Sequence, residues 1–282
     1  MAGNMKTVGL LCTDSSDLYL AKAVYCIERN LSEHGYHSLL CTTGYTFQRK
    51  QESLRLLLSK DIDAVILVGS QFIGHDENEN EYIKKAAEKL PVILMNGELE
   101  YENIYSCCCD DHQATKDATL SLIDSGAKSL LYFYDNHTYS GKKKQSGFAD
   151  ACSKRGGTDT FNLLYVGERE DIGDVAVRLE RLWETGIHFD AIVTSEDYLA
   201  VGAVKFARRN GIQIPGDLQI IGYNNSLLTV CCEPELTSID NHLEDVCDLV
   251  VGAAVSILEE GTFPPRKVLS GELIKRDSTK TV

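Results

Sequence analysis

Polar and aromatic side chains cluster in the short segments that follow the apolar, strand-length runs of this sequence. Asp, Asn, Ser and Tyr predominate there, and they supply hydrogen-bond donors, hydrogen-bond acceptors and aromatic faces. Such a mixture suits the binding of a neutral polar molecule, such as a sugar or a nucleoside, without chemical change to it. The segments are residues 13–19, 70–72, 96–98, 135–140, 195–198 and 224–226.

Each of these polar residues also has a structural explanation. Residues 14–17 precede a predicted helix, where an Asp or Ser can serve as the N-cap. Asp197 opens another predicted helix, and Asn224 and Asn225 can satisfy a turn. Taken singly, the structural role is the simpler explanation in every case. Their shared position at strand ends favours a binding site, because open parallel sheets bind ligands at the carboxyl ends of their strands.

The sequence carries no motif for catalysis, metal binding or dinucleotide binding. No G-x-G-x-x-G follows the first predicted strand, no G-x-S-x-G elbow occurs, and the seven histidines form no H-E-x-x-H spacing. Gly141-Lys142 lacks the spacing of a phosphate loop. The basic run 142–144 is either a solvated face or an anion or hydroxyl contact at a helix start. The sequence therefore predicts no cofactor, no metal and no enzymatic activity.

The ten cysteines are predicted to be free thiols. No C-x-x-C pair occurs, and the runs 107–109 and 231–232 consist of adjacent cysteines, which bridge each other poorly. Most cysteines lie in apolar runs, where a thiol acts as a small hydrophobe. The N-terminus leads directly into an apolar run with no pattern of a secretory signal. These features predict a location in the reducing cytoplasm.

The charge balance argues against direct binding to nucleic acid. The 282 residues include 42 acidic and 28 basic side chains, which gives a net charge of −14. Binding to duplex DNA requires clustered Lys and Arg that displace counterions. A hydrophobic fraction of 43% is typical of a folded chain. The sequence contains no run of about 18 or more apolar residues, so no membrane span is predicted.

Apolar runs of strand length alternate with stretches of helical periodicity in two successive series, over residues 7–95 and 113–222. This alternation predicts a fold of class α/β with two doubly wound lobes, each a parallel sheet covered by helices on both faces. The tail adds an extended segment at 236–240, a helix at 243–260 and a final strand at 268–275. A tail of this kind can return to the first lobe and join the two.

Several motifs, taken together, resemble the effector-binding core of LacI/GalR-type transcription regulators over essentially the whole chain. The strongest is I-P-G-D-L-Q-I-I-G-Y-N-N at 214–225, followed by P-E-L-T-S-I at 234–239. The other matching segments are 6–11 with the Asp-Ser-Ser loop after it, 33–36, 61–67, S-G-F at 146–148, F-D-A-I at 189–192 and L-I-K-R-D-S-T at 273–279.

The resemblance implies a periplasmic-binding-protein-like type I fold, with two lobes hinged around a ligand cleft, and a homodimer. The lobes would be residues 6–111 plus 242–268 and residues 112–241 plus 269–282. The family's helix-turn-helix headpiece and hinge are absent from this chain, which is therefore expected not to bind operator DNA by itself.

The resemblance also places ligand-binding positions on this sequence. Two of them depart from the family pattern. Lys144 replaces an Arg and loses its planar fork, and Asn224 replaces an Asp and becomes both donor and acceptor. The first loop also departs, with D-L-Y-L at 17–20 in place of Asn-Pro-Phe-Phe. The full set is Asp17, Tyr19, Ser70, Asn96, Lys144, Glu196, Asp197, Asn224 and Asn241.

The sequence thus predicts the ligand-sensing and dimerising core of a transcription regulator. A small polar, sugar-like effector would bind between the lobes and shift their angle, and operator DNA would be reached only through the missing headpiece. Two alternatives remain: a solute-binding protein of a transport system, which shares the architecture, and an α/β enzyme with an unrecognised site. No membrane partner is expected.

Overall fold

A computed structural model of the chain describes residues 6–154, 160–167 and 171–280. The predicted series of strands and helices over residues 113–222 crosses residues 155–159 and 168–170, and those parts of the prediction lie outside the described residues. The chain forms two compact units. The first consists of Met1–Cys109, Thr138–Ser140 and Leu243–Leu269, and the second consists of Asp110–His137, Gly141–His242 and Ser270–Val282. In the described ranges, no helix is long and apolar enough to cross a membrane.

The first unit contains a six-stranded sheet in the order β11-β5-β4-β3-β1-β2, with every described pair parallel. Its strands are β1 (Thr7–Cys12), β2 (His37–Thr42), β3 (Ala64–Val68), β4 (Val92–Met95), β5 (Ile104–Cys109) and β11 (Arg266–Leu269). Its helices are α1 (Leu18–Glu33), α2 (Phe47–Leu58), α3 (Glu77–Ala87) and α8 (Leu243–Leu258).

Helices cover both faces of this sheet, as the continuous apolar sequence of β3 predicts. All five residues of β3 are buried. Ile66 packs in a cluster with residues of α1 and α8, whereas its neighbours Val65 and Leu67 pack in a second cluster with residues of α2 and α3. Successive strand side chains point to opposite faces, so the two clusters lie on the two sides of the sheet.

The second unit repeats this arrangement with strand order β12-β10-β9-β8-β6-β7. Its strands are β6 (Ser129–Tyr134), β7 (Thr160–Tyr165), β8 (Ala191–Thr194), β9 (Gln219–Tyr223), β10 (Thr237–Asp240) and β12 (Glu272–Ile274). Its helices are α4 (Asp111–Asp124), α5 (Tyr139–Lys154), α6 (Ile172–Glu184) and α7 (Asp197–Arg209). Only the described pair β10–β12 is antiparallel. The predicted fold class, two α/β lobes of doubly wound parallel sheet, is confirmed.

The prediction of one final strand over 268–275 is wrong. That stretch contains the end of β11, which pairs with β5 in the first sheet, and β12, which pairs with β10 in the second. Ser270 and Gly271 separate the two strands and take part in neither ladder. A run of strand-forming residues does not reveal its pairing partner. The hydrophobic pattern therefore could not predict that the chain passes from one sheet to the other within this stretch.

The last described residues fasten β10 to β9 within the second unit. Ser278 Oγ accepts a hydrogen bond from Thr237 N at 2.8 Å and donates one to Ile220 O at 2.6 Å. Arg276 donates to Leu236 O at 2.8 Å and to Asn225 Oδ1 at 2.6 Å. The R-D-S-T segment therefore fixes the two strands whose following loops carry predicted site residues.

Candidate functional site

The predicted site residues of the second unit follow parallel strands. Glu196 comes shortly after β8, Asn224 comes directly after β9, and Asn241 comes directly after β10. Because β8, β9 and β10 are parallel neighbours, their carboxyl ends meet at one edge of the sheet. Lys144 reaches the same edge from α5, since its ammonium contacts both Ser195 and Glu196.

The Lys144 ammonium is enclosed by the protein. The residue is only 4% exposed. Its Nζ donates to Ser195 O at 2.9 Å and to Glu196 Oε1 at 3.3 Å, and it lies 3.8 Å from the centre of the Tyr223 ring. Burial by itself lowers the pKa of Lys144, but the carboxylates of Glu196, Asp111 and Asp135 outweigh it and leave the pKa above its ordinary value. Lys144 is therefore a cation at neutral pH.

Glu196, Asn224 and Asn241 form a hydrogen-bonded chain that starts at this cation. Asn224 Nδ2 donates to Glu196 Oε2, and Asn241 Nδ2 donates to Asn224 Oδ1 at 3.1 Å. Glu196 occupies the N-cap position of α7, but its side chain makes no capping hydrogen bond. The carboxylate is directed instead to Lys144 and Asn224. Asn224 has a φ of 97°, a region that Asn tolerates better than most residues.

Asp197 anchors the loop that carries Asn224. The residue is 2% exposed, its Oδ1 accepts from Ser238 Oγ at 2.7 Å, and its Oδ2 accepts from Ser226 N at 2.7 Å. Burial raises the pKa of Asp197, and the hydrogen bonds from Ser238 and Ser226 oppose that shift. Both carboxylate oxygens are thus engaged with the protein. The direct ligand contact predicted for Asp197 stays a prediction, beside this structural function.

Asp135 is a central member of the site that the sequence did not single out. It is 8% exposed. Its Oδ1 accepts from Ser195 Oγ at 2.9 Å and from Asn136 Nδ2 at 2.8 Å, and its Oδ2 accepts from Tyr198 OH at 2.8 Å. Its place directly after β6 was the available signal, because that is the same position that Asn224 holds after β9. We refer to Asp135, Lys144, Ser195, Glu196, Asn224 and Asn241 as the polar network.

Asp111 and Tyr223 are a further buried pair that the sequence could not reveal. Tyr223 OH donates to Asp111 Oδ1 at 2.5 Å, across 112 positions of the chain. Tyr223 ends β9 and Asp111 begins α4. An aromatic residue at the end of an apolar strand has the sequence signature of core, so no signal marked this pair.

The first unit places Tyr19 and Asn96 in contact. Asn96 Nδ2 donates to Tyr19 OH at 2.7 Å. Asn96 follows β4 with a φ of 56° and is 7% exposed. Within the described part of the chain its Oδ1 is buried without a hydrogen-bond partner, and the same holds for the hydroxyl of Thr13, which follows β1. Buried polar atoms are rarely left unsatisfied, so these two atoms are candidates to meet a ligand.

Asp17 and Ser70 lie in the segments that follow strands β1 and β3 of the first unit. Asp17 is the N-cap of α1, and its Oδ1 accepts from Leu20 N at 2.9 Å. The capping alternative is thus observed, and a ligand contact by the same side chain stays a prediction. Ser70 is buried after Gly69, whose φ is 104°, and it donates to Thr138 Oγ1 at 2.9 Å.

The candidate site residues of the two units can form hydrogen bonds and ion pairs. In the described ranges, no group of three or more His, Cys, Asp and Glu side chains is arranged to hold a metal ion. Lys144 is held as a cation, and Asp197 is fully hydrogen-bonded. The fold and these edges define a ligand-binding protein of the periplasmic-binding-protein-like type I class.

Comparison with known proteins agrees with that class. Residues 119–279 match the model of the periplasmic binding protein-like domain. An HTH-type transcriptional regulator of Lachnoclostridium phytofermentans is 46% identical over 275 residues, which cover 98% of this chain and 82% of the relative. The HTH-type transcriptional regulator AscG of Escherichia coli K12 is 25% identical over 280 residues, with 98% and 82% coverage.

Solved structures show the same fold. The crystal structure of a periplasmic binding protein/LacI transcriptional regulator from Alkaliphilus metalliredigens QYMF, complexed with D-xylulofuranose, has a TM-score of 0.81 at 19% identity. The match covers 98% of this chain and 100% of that one. The chain belongs to the LacI family of transcriptional regulators, and it is the effector-binding domain of such a regulator rather than an enzyme.

Proposed function

We propose that this domain binds a small, hydroxyl-rich effector of the sugar class. The carrying observation is the hydrogen-bonded chain Lys144–Glu196–Asn224–Asn241, which joins four predicted ligand positions at one sheet edge. A sugar hydroxyl is both donor and acceptor, so it pairs with a carboxylate and with either end of a carboxamide. The sugar held by the Alkaliphilus metalliredigens structure is consistent with this class.

The first unit is proposed to contribute contacts of the same kind. Asn96 Oδ1 and the Thr13 hydroxyl are buried polar atoms that no described residue satisfies. A ligand hydroxyl that met Asn96 Oδ1 would remove a penalty of about 1–3 kcal/mol for the unsatisfied group. Tyr19, Asp17 and Ser70 complete the proposed contacts of this unit.

The proposed output is control of transcription in the cytoplasm by a homodimer. Effector binding would favour one arrangement of the domain over another, and the difference in affinity between the two states sets how far the equilibrium moves. Headpieces of the HTH type, as in the relatives, would carry that change to operator DNA. The net charge of −14 supports the view that DNA is read by a separate basic module.

Ligand screening tests the proposal. Thermal-shift screening of neutral sugars, nucleosides and phosphorylated sugars identifies binders, because a ligand at about 100 times its Kd stabilises the folded state by about 2.7 kcal/mol. Titration calorimetry then compares wild type, Asn224→Ala and Asn96→Ala. Each substitution should weaken binding of the sugar by roughly tenfold or more, since about 1.4 kcal/mol corresponds to tenfold in affinity.

Asn78→Ala is the matched control, because Asn78 is exposed on α3 and follows no strand. It should leave the affinity unchanged. Failure of every sugar to bind, or unchanged affinity in Asn224→Ala, would show that the proposed function or its site is wrong.

A further inference from the structure

In the Lys144–Glu196 ion pair of the polar network, the carboxylate is partly exposed to solvent and the ammonium is buried. The Lys144 side chain is 5% exposed, whereas the Glu196 side chain is 25% exposed, and their charged atoms lie 3.3 Å apart. A molecule that approaches this edge of the second unit therefore meets the carboxylate before it meets the ammonium.

Protein groups contact the Lys144 ammonium on three sides. Of its three donors, one serves Ser195 O at 2.9 Å and one serves Glu196 Oε1 at 3.3 Å. The Tyr223 ring covers a third side, with its centre 3.8 Å from Nζ. An anionic group would have to displace one of these partners to reach the charge, and it would leave that partner buried without its donor.

Negative charge is also in excess around the pair. The carboxylates of Glu196, Asp111 and Asp135 all act on Lys144. Asp111 is 5% exposed and Asp135 is 8% exposed, so water screens neither of them fully. Among the six residues of the polar network, Lys144 is the one cation, and two residues, Asp135 and Glu196, carry carboxylates.

We propose that the effector is a polyhydroxy molecule that is neutral or carries an amino group, and that sugars bearing a phosphate or a carboxylate are rejected at this edge. The inference rests on the proposed sugar-class function and narrows its ligand. A hydroxyl donates to the exposed Glu196 carboxylate, and an ammonium forms an ion pair with it. A phosphate or a carboxylate at the same place brings like charges together in a partly desolvated site and is repelled.

Matched sugar series test the inference on the whole chain. For glucose, galactose and mannose, the neutral sugar, the 2-amino-2-deoxy sugar, the uronate and the 6-phosphate are titrated by calorimetry at pH 7. In any series that binds, the neutral or amino form should bind at least about tenfold more tightly than the uronate and the 6-phosphate. A uronate or a 6-phosphate as the tightest ligand overturns the inference and leaves the sugar-class function standing, whereas no binding in any series overturns both.

The charge of Glu196 is tested by Glu196→Gln, which keeps the shape of the side chain. The amino sugar should lose roughly tenfold in affinity, the neutral sugar should change by less than about threefold, and the uronate should bind more tightly than it does to wild type. Glu184→Gln, at an exposed residue at the end of α6, is the matched control and should change none of these ratios. Unchanged ratios in Glu196→Gln, or the same changes in Glu184→Gln, would show that Glu196 does not select the effector's charge.

Discussion

The Lys144 ammonium lies 3.8 Å from the centre of the Tyr223 ring, and the hydroxyl of that tyrosine donates to Asp111. Tyr223 thus offers the face of its ring to the cation and its polar end to a carboxylate. A ring face attracts a cation electrostatically, and more strongly where water is excluded. Through Tyr223, the end of β9 connects the start of α4 to the middle of α5.

Replacement of the cation tests whether this arrangement stabilises the domain. Lys144→Met keeps an apolar chain of similar length against the Tyr223 ring but leaves Glu196, Asp135 and Asp111 without their counter-charge. Removal of one partner of a buried ion pair costs about 3–5 kcal/mol, so the free energy of unfolding should fall by about that amount. Urea unfolding followed by circular dichroism measures the change.

Lys143→Met is the control for Lys144→Met. Lys143 is the neighbouring lysine on α5 and is exposed. Its replacement should change the free energy of unfolding by less than about 0.5 kcal/mol. Equal effects of the two substitutions would show that the Lys144 pair contributes nothing specific.

Alkaline pH should remove the contribution of Lys144. The pKa of Lys144 is raised in the folded state, where burial acts against the stronger effect of Glu196, Asp111 and Asp135. A lysine in the unfolded chain titrates at about 10.4. The stabilising contribution is therefore complete below that pH and is lost as the pH rises through the folded-state pKa.

The difference in unfolding free energy between wild type and Lys144→Met reports this contribution, because most other titrations are common to both proteins. Urea titrations at pH 7, 9, 10 and 11 measure it. We expect a constant difference up to about pH 10 and a smaller one at pH 11. A difference that grows between pH 7 and 9 would mean that the pKa is lowered and not raised, because the unfolded chain would then hold the proton that the folded protein has lost.

Local pattern was sufficient to predict the fold class and the sheet edge at which the candidate site residues lie. The apolar sequence of β3 requires cover on both faces, and each polar segment after a strand lies at the carboxyl end of a parallel sheet by topology alone. Glu196, Asn224 and Asn241 were accessible to prediction for that reason, and the structure joins them by hydrogen bonds.

Long-range pairing set the limit of prediction from sequence. The partners of β11 and β12 depend on which sheet edge is open, and the short stretch they occupy has one uniform pattern. Asp111 and Tyr223 are 112 positions apart, and neither differs in its local sequence from an ordinary helix start or core residue. The loop-anchoring function of Asp197 depends on Ser238, which lies on β10 and is 41 positions away in the chain.

Gly222 is required beside Asp197. A Cβ at Gly222 would collide with Asp197 Oδ1 and lie 3.3 Å from Ser238 Oγ, the donor to that oxygen. Gly222→Ala should therefore displace the loop anchor and lower the free energy of unfolding by about 1–3 kcal/mol. Thermal and urea unfolding measure the loss, and binding of the sugar should weaken in parallel because Asn224 lies in the loop that Asp197 anchors.

Gly252→Ala provides the matched control for Gly222→Ala. Gly252 lies inside α8, and a Cβ there would meet nothing within 4 Å. Alanine is the better helix former, so this variant should be more stable than wild type by up to about 1 kcal/mol. Destabilisation by both substitutions to the same extent would contradict the assignment of a specific contact to Gly222.

Thiol labelling should separate Cys231 from the other cysteines. All ten are thiols that are not joined in disulfides; Cys231 is exposed, Cys41 and Cys232 are half-buried, and the remaining seven are buried. Burial raises the pKa of Cys107 to about 12 and that of Cys152 to about 11, which suppresses the reactive thiolate. In the native protein, a disulfide reagent should therefore modify Cys231 first, and the seven buried thiols should react only after unfolding in urea. The variant Cys231→Ser should lack the fast phase, and the total number of thiols modified after unfolding should be lower by one than in wild type. A fast phase that survives in Cys231→Ser would contradict the assignment of that phase to Cys231, and several buried thiols that react in the native state would show that those cysteines are not packed as core residues.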